Sequence, residues 1–168
     1  MRKILLLIAI FALTAVIALS AGMPLTKADK IKAAVTAALD NYWKAYESKD
    51  LEKVMSLTAP DFFGYGTGRD EKAVGIDQLK KQMERDFAQA GSIALQRTIA
   101  GFGFSGNVAW TAHDVVFVSQ TGKGEVRMEG RMSSVLRKEG GKWLVGHIHF
   151  SMPLAGQQEG QSYPAPAQ

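Results

Sequence analysis

The chain has no cysteine in its 168 residues, and that absence closes several routes at once. No disulfide can staple the fold, no lipid can be attached through a cysteine, and no cysteine nucleophile is available. Packing and hydrogen bonds alone must hold the domain, even in an oxidising compartment. Gly64, Gly66 and Gly68 are not followed by a Gly-Lys-Ser/Thr run, so a nucleotide phosphate loop is excluded. The Gly-x-Ser-x-Gly elbow of a serine hydrolase is missing too. There is no internal repeat. The 20 Lys and Arg against 16 Asp and Glu give a charge of +4, but no basic stripe, which argues against nucleic acid as a partner.

What is present begins with Met1-Arg2-Lys3, an unbroken apolar run from Ile4 to Leu19, and the small residues Ser20, Ala21 and Gly22. A basic end, a short apolar core and a small-residue site mark residues 1–22 as a secretory signal peptide, and the protein as exported to the periplasm or beyond. Ala18 and Ser20 supply the small-x-small pattern for cleavage after Ser20. The run is short for a membrane span, which needs about 20 apolar residues. Left uncleaved it would be an amino-terminal anchor, the one membrane connection the sequence allows. Residues 23–155 then read as one domain, large enough to bury a real core. The tail, residues 156–168, is rich in Gln, Gly and Pro and is expected to be disordered.

Within the domain, Thr26 with Asp29 three residues on forms a capping box. Ile31, Val35, Ala38, Leu39, Tyr42, Trp43 and Tyr46 follow at spacings of three and four, predicting a helix from Lys27 to Ser48. Asp50 caps a shorter helix carrying Leu51, Val54 and Met55, which ends before Pro60. Asp61 to Thr67 reads as a short strand running into a glycine-rich turn. A third helix is expected from Asp77 to Ala90, with Leu79, Met83, Phe87 and Ala90 inward and Gly91 as its stop. From there the pattern alternates. Ile93–Phe104, Val108–Ser119, Gly124–Arg137 and Lys142–Met152 read as four consecutive antiparallel strands, with a hairpin signal at Glu139-Gly140-Gly141. Helices first and a long meander after give an α+β domain.

Particular residues carry a family resemblance. Gly66-Thr67-Gly68-Arg69-Asp70-Glu71, with Gly75 after it, resembles the strand-to-helix loop of SnoaL-like domains. Trp143 to Pro153 resembles their closing Trp…His-x-Ser-x-Pro signature, and Tyr42, Trp43 and the stretch from Asp50 to Leu57 fit the opening helices. The resemblance runs from about Ile31 to Pro153. It implies membership of the nuclear transport factor 2-like superfamily: a cone-shaped half-barrel, its curved antiparallel sheet packed on about three helices enclosing a pocket. It also implies a homodimer built on the outer sheet face. The superfold hosts isomerases, dehydratases, cyclases, ligand binders and assembly modules, so function must be argued from the site.

Turns centred near Gly122 and Gly140 would set His113 opposite Arg131 and Arg131 opposite His149, and side chains of one parity would share a face. A bulge at Gly130 or Gly146 would shift part of that assignment. The even face is the apolar one and is expected to be inward. It would line the pocket with Trp110, Ala112, Ser134, Ile148 and Phe150, joined by Tyr42 and Trp43 from the helix. Asp114 would be the carboxylate of its strand inside that apolar face. Its charged form would be disfavoured there, making it the candidate general acid or base, with Tyr65 as a hydrogen-bond donor to a bound oxygen. The odd face holds His113, Arg131, Trp143, His147 and His149, a mixture suited to a dimer contact. A metal on the three histidines is disfavoured because Arg131 would lie between His113 and His149.

Three functions follow. The first is an exported protein binding a small, largely apolar ligand in the pocket. The second is an enzyme of isomerase, dehydratase or cyclase type using Asp114. The third is a non-catalytic dimerisation or assembly module. None calls for a cofactor.

Overall fold

The structure is a computed structural model and describes residues 24–154, 156–157 and 159–163. The expected signal peptide lies outside the described residues. So does part of the tail, whose described residues include turns at Gly156 and Gly160. The chain divides into two compact units, Met1–Ile31 and Lys32–Gln168. In the first, the Thr26 and Asp29 side chains and backbone N–H groups bond reciprocally, the capping box expected there. Among the described residues no helix is long and apolar enough to cross a membrane.

Among the described residues three helices, α1 (Lys27–Glu47), α2 (Leu51–Ser56) and α3 (Ile76–Gln89), accompany six strands: β1 (Thr58–Tyr65), β2 (Lys72–Val74), β3 (Ala90–Ser105), β4 (Val108–Thr121), β5 (Gly124–Glu139) and β6 (Lys142–Ser151). Asp50 accepts the Lys53 N–H at 2.9 Å and starts α2. No turn separates α3 from β3, so Gly91 is already strand. The sheet runs β2-β1-β6-β5-β4-β3, curved and unclosed. The meander β3 to β6 is antiparallel, but β1 joins β6 in parallel, so the sheet is mixed. The core lies between the inner sheet face and the helices. It holds Val35, Leu39 and Tyr42 of α1, Val54 of α2, and Val115, Met132, Leu136 and Val145 of the sheet.

The register differs from the expected one, and the turns explain why. Thr121 pairs with Gly124, so the β4–β5 hairpin has a two-residue loop whose centre lies between Gly122 and Lys123. Asp114 therefore faces Arg131, and His113 faces Met132. A slip of one residue sends every side chain of β4 to the other face. Gly140 and Gly141, both left-handed at φ 53° and 83°, make the second two-residue turn, and a bulge at Gly146 switches parity again. Inward positions are thus odd on β4, even on β5, odd on β6 before Gly146 and even after it.

Candidate functional site

Helices α1 and α3 face β1, β4, β5 and β6 across a cavity of about 260 Å³. Its walls follow from helical spacing. Tyr42, Trp43 and Tyr46 of α1 and Leu79, Met83 and Asp86 of α3 lie within a turn or two of one another on single helix stripes. The sheet contributes Phe117, Ile148 and Phe150, and β1 contributes Phe62. The rings form a connected set: Tyr42 and Trp43 centroids are 5.1 Å apart, Trp43 and Phe117 5.7 Å, Phe117 and Phe150 5.2 Å. Most of these contacts are edge-to-face or tilted, the arrangements that ring quadrupoles favour.

One end of this apolar chamber is polar. The Tyr46 hydroxyl donates to Asp86 Oδ2 at 3.3 Å. Burial, then the nearby Glu71 charge, holds the Asp86 carboxyl above the usual carboxylate range. Burial pushes both the Tyr42 and Tyr46 phenols up, so both are neutral hydroxyls. The Tyr42 hydroxyl and Trp43 Nε1–H are buried and have no hydrogen-bond partner among the described residues. Arg85 closes the loop at the mouth, pairing with Asp70 at 2.5 Å and Glu71 at 3.5 Å. Glu71 also accepts the Gly68 N–H at 2.8 Å, folding the glycine-rich loop onto itself.

Tyr42, Trp43, Ile148 and Phe150 line the cavity as expected from the sequence. Tyr65 reaches the cavity only at its rim: its ring, 41% exposed, lies on the outer sheet face edge-on to Phe63 and His149, not aimed inward at a bound oxygen as expected. Ser134 is inward and fully buried but sits in the core beside the cavity rather than on its wall. The β4 slip corrects the others. Asp114, Trp110 and Ala112 project from the outer face, where Asp114 lines a polar groove with Arg131, Glu129 and the tail. Trp110 lies over Gly103, where a Cβ would meet the indole at 2.4 Å. Asp114 is therefore no acid within an apolar cavity. His113 and Trp143, expected at an outer contact, are buried inside. Only Arg131, His147 and His149 of the expected interface set occupy the outer face. His113 thus lies on the opposite side of the sheet from His147 and His149. Among the described residues no group of three or more His, Cys, Asp or Glu is placed to hold a metal.

His113 has a different setting. Arg97 Nη1 approaches its Nε2 at 3.4 Å, and Arg97 is itself held by Asp40 at 2.5 Å. Burial and the Arg97 charge lower the imidazole pKa to about 4. Asp86, a carboxylate that does face the cavity, was missed in the sequence. A signal existed, because Asp86 follows Leu79 by seven residues and Met83 by three and so interrupts the apolar stripe of α3.

A SnoaL-like domain model matches residues 35–155. The chain belongs to the SnoaL-like domain family. Solved structures agree on the fold. A nuclear transport factor 2-like superfamily protein from Salmonella enterica serovar Typhimurium superposes with a TM-score of 0.69 at 19% identity, over 80% of this chain and 98% of that one. A candidate dehydratase of the same family from Streptomyces avermitilis gives 0.70 at 19% identity, over 77% and 100%. A ketosteroid isomerase-like protein from Erwinia carotovora atroseptica gives 0.64 at 22% identity, over 71% and 94%. No match is found among curated proteins. This SnoaL-like chain therefore shares a scaffold with proteins of several names, and its own chemistry rests on its own cavity.

Proposed function

We propose that this SnoaL-like protein binds a small, largely apolar molecule in the cavity between α1, α3 and the sheet, and that it does so outside the cytoplasm. The observation that carries this reading is the pair of buried donors, Tyr42 hydroxyl and Trp43 Nε1–H, on side chains that line an aromatic cavity. Buried donors are normally satisfied, and a ligand oxygen would satisfy these. A neutral apolar fluorophore, N-phenyl-1-naphthylamine, should brighten on binding with an affinity in the micromolar range, about −8 kcal/mol. Met128→Trp, which fills space at the wall, should weaken it at least about tenfold. Equal brightening in both proteins, or none in the parent, would remove the cavity from consideration.

A second reading is proton transfer on the bound molecule, favoured by the raised carboxyl of Asp86 beside the Tyr46 hydroxyl. Asp86 takes the role the sequence had given to Asp114. Export rests on the leader-like start of the sequence.

We further propose a homodimer through the outer sheet face. Phe63, Tyr65, Val74 and Trp110 are large apolar side chains left 38–50% exposed there. The Phe63 ring stacks on His147 at 5.6 Å, which fixes a flat aromatic surface. Burying such a patch against a second copy would remove it from water. Phe63→Glu or Trp110→Glu should sediment as a monomer where the parent sediments as a dimer; a monomeric parent would refute the proposal.

A further inference from the structure

The charges around the cavity are lopsided. Two lining residues, Asp86 and Glu71, are acids, and none is Lys, Arg or His. Arg85 is the cation that ion-pairs with them among the described residues. Its Nε stands 3.9 Å from Asp86 Oδ1, while its tightest contact is to Asp70. Three carboxylates share one guanidinium, leaving the mouth-side end of the cavity anionic. Six inward-facing lining side chains are aromatic, and a ring face attracts a cation, most strongly where water is excluded. The Tyr42 hydroxyl is buried and unpartnered, and Tyr42 and Asp86 line the same chamber. A phenol oxygen can accept from an ammonium N–H as readily as it donates to an oxygen.

We infer that the ligand of this cavity is a cationic amine on an apolar body, its ammonium paired with Asp86 and its body held among the rings of Tyr42, Trp43, Tyr46 and Phe117. The inference rests on the reading of the cavity as a ligand site and adds the charge of what it takes. An ammonium would neutralise a carboxylate that α3 places in a half-buried position with one long hydrogen bond. It would also relieve the repulsion between Asp86 and Glu71. An anionic ligand would meet those two acids with no base on the wall to offset them.

Three probes of one shape separate the possibilities: 2-phenylethylamine, protonated at pH 7.5, 2-phenylethanol and 3-phenylpropanoate. Calorimetric titration of the full protein at low salt should find the amine at least about tenfold tighter than the alcohol, and the carboxylate weakest. Asp86→Asn should cost the amine that preference, with a circular dichroism spectrum matching the parent's to show that the variant is folded. Glu71→Gln should weaken the amine in the same direction and by less. If the alcohol or the carboxylate binds as well as the amine, or if Asp86→Asn leaves the amine unchanged, the charge inference is overturned while the cavity reading stands. If none of the three binds and N-phenyl-1-naphthylamine does not either, both readings fall together.

Discussion

Gly130→Ala is expected to lower the stability of the domain by about 2–3 kcal/mol, well above the usual cost of a surface change. A Cβ at this position would stand 2.4 Å from the Ser151 carbonyl oxygen and 2.6 Å from the Phe150 ring. A flexible side chain could swing aside, but a backbone carbonyl in the β5–β6 ladder cannot move without disturbing its pairing. Phe150 cannot retreat freely either, because it packs on Phe117 in the cavity wall. The strain therefore propagates into the ligand site, and the variant should also bind N-phenyl-1-naphthylamine more weakly. Gly122→Ala is the control, since a Cβ there meets nothing within 4 Å. Urea denaturation should separate the two variants clearly. Equal midpoints would show that β5 and β6 do not approach as closely as described.

The second large effect is an acid destabilisation centred on His113. An imidazole in the unfolded chain takes a proton near 6.5, whereas burial and Arg97 hold the folded one down to about 4. Between those values the unfolded chain binds more protons than the folded one. The stability due to neutral His113 is thus present above about 6.5 and drains away as the pH falls toward 4. At 1.36 kcal/mol per unit the loss reaches about 3 kcal/mol. The proton is costly first because the imidazole is buried and then because it adds a charge beside Arg97, an effect that Asp40 partly offsets. Asp86 works in the opposite direction. Its folded carboxyl is held above the usual range, so its contribution is present at low pH and lost as pH rises through the raised value. The difference between parent and His113→Gln isolates the histidine. The gap in unfolding free energy should narrow or reverse in favour of the variant from pH 6.5 to pH 4. Parallel profiles would contradict the buried, neutral imidazole.

Local chemistry was legible in the sequence wherever a few neighbouring residues decide the outcome. Thr26 with Asp29, Asp50 before Leu51, and the Gly140-Gly141 turn each specify their own geometry through caps or left-handed backbone. The stripe of Tyr42, Trp43 and Tyr46 likewise placed α1 against the cavity. What failed was anything that depends on counting residues through a turn. A hairpin loop of two residues at Gly122-Lys123, in place of one centred on Gly122, exchanged Asp114 and His113 between faces. Trp143 was misplaced in the same way, by a two-residue turn at Gly140-Gly141 in place of one centred on Gly140, and the bulge at Gly146 then restored the expected parity from His147 to Phe150. The short strand β2 has three residues and no alternation to find. Asp86 went unnoticed because a lone acid on a helix reads as solvent-facing until the stripe around it is laid out.

The central claim is that the cavity is occupied by a small molecule when the protein does its work. Native mass spectrometry of the protein purified from the cell that makes it tests this most directly, because it reads the intact chain and anything held without a covalent bond. The account predicts a chain shortened by its leader, carrying a small molecule that fits about 260 Å³, is lost on denaturation, and is missing from Met128→Trp purified in the same way. A parent chain that flies bare, with a spectrum no different from that of Met128→Trp, would contradict it.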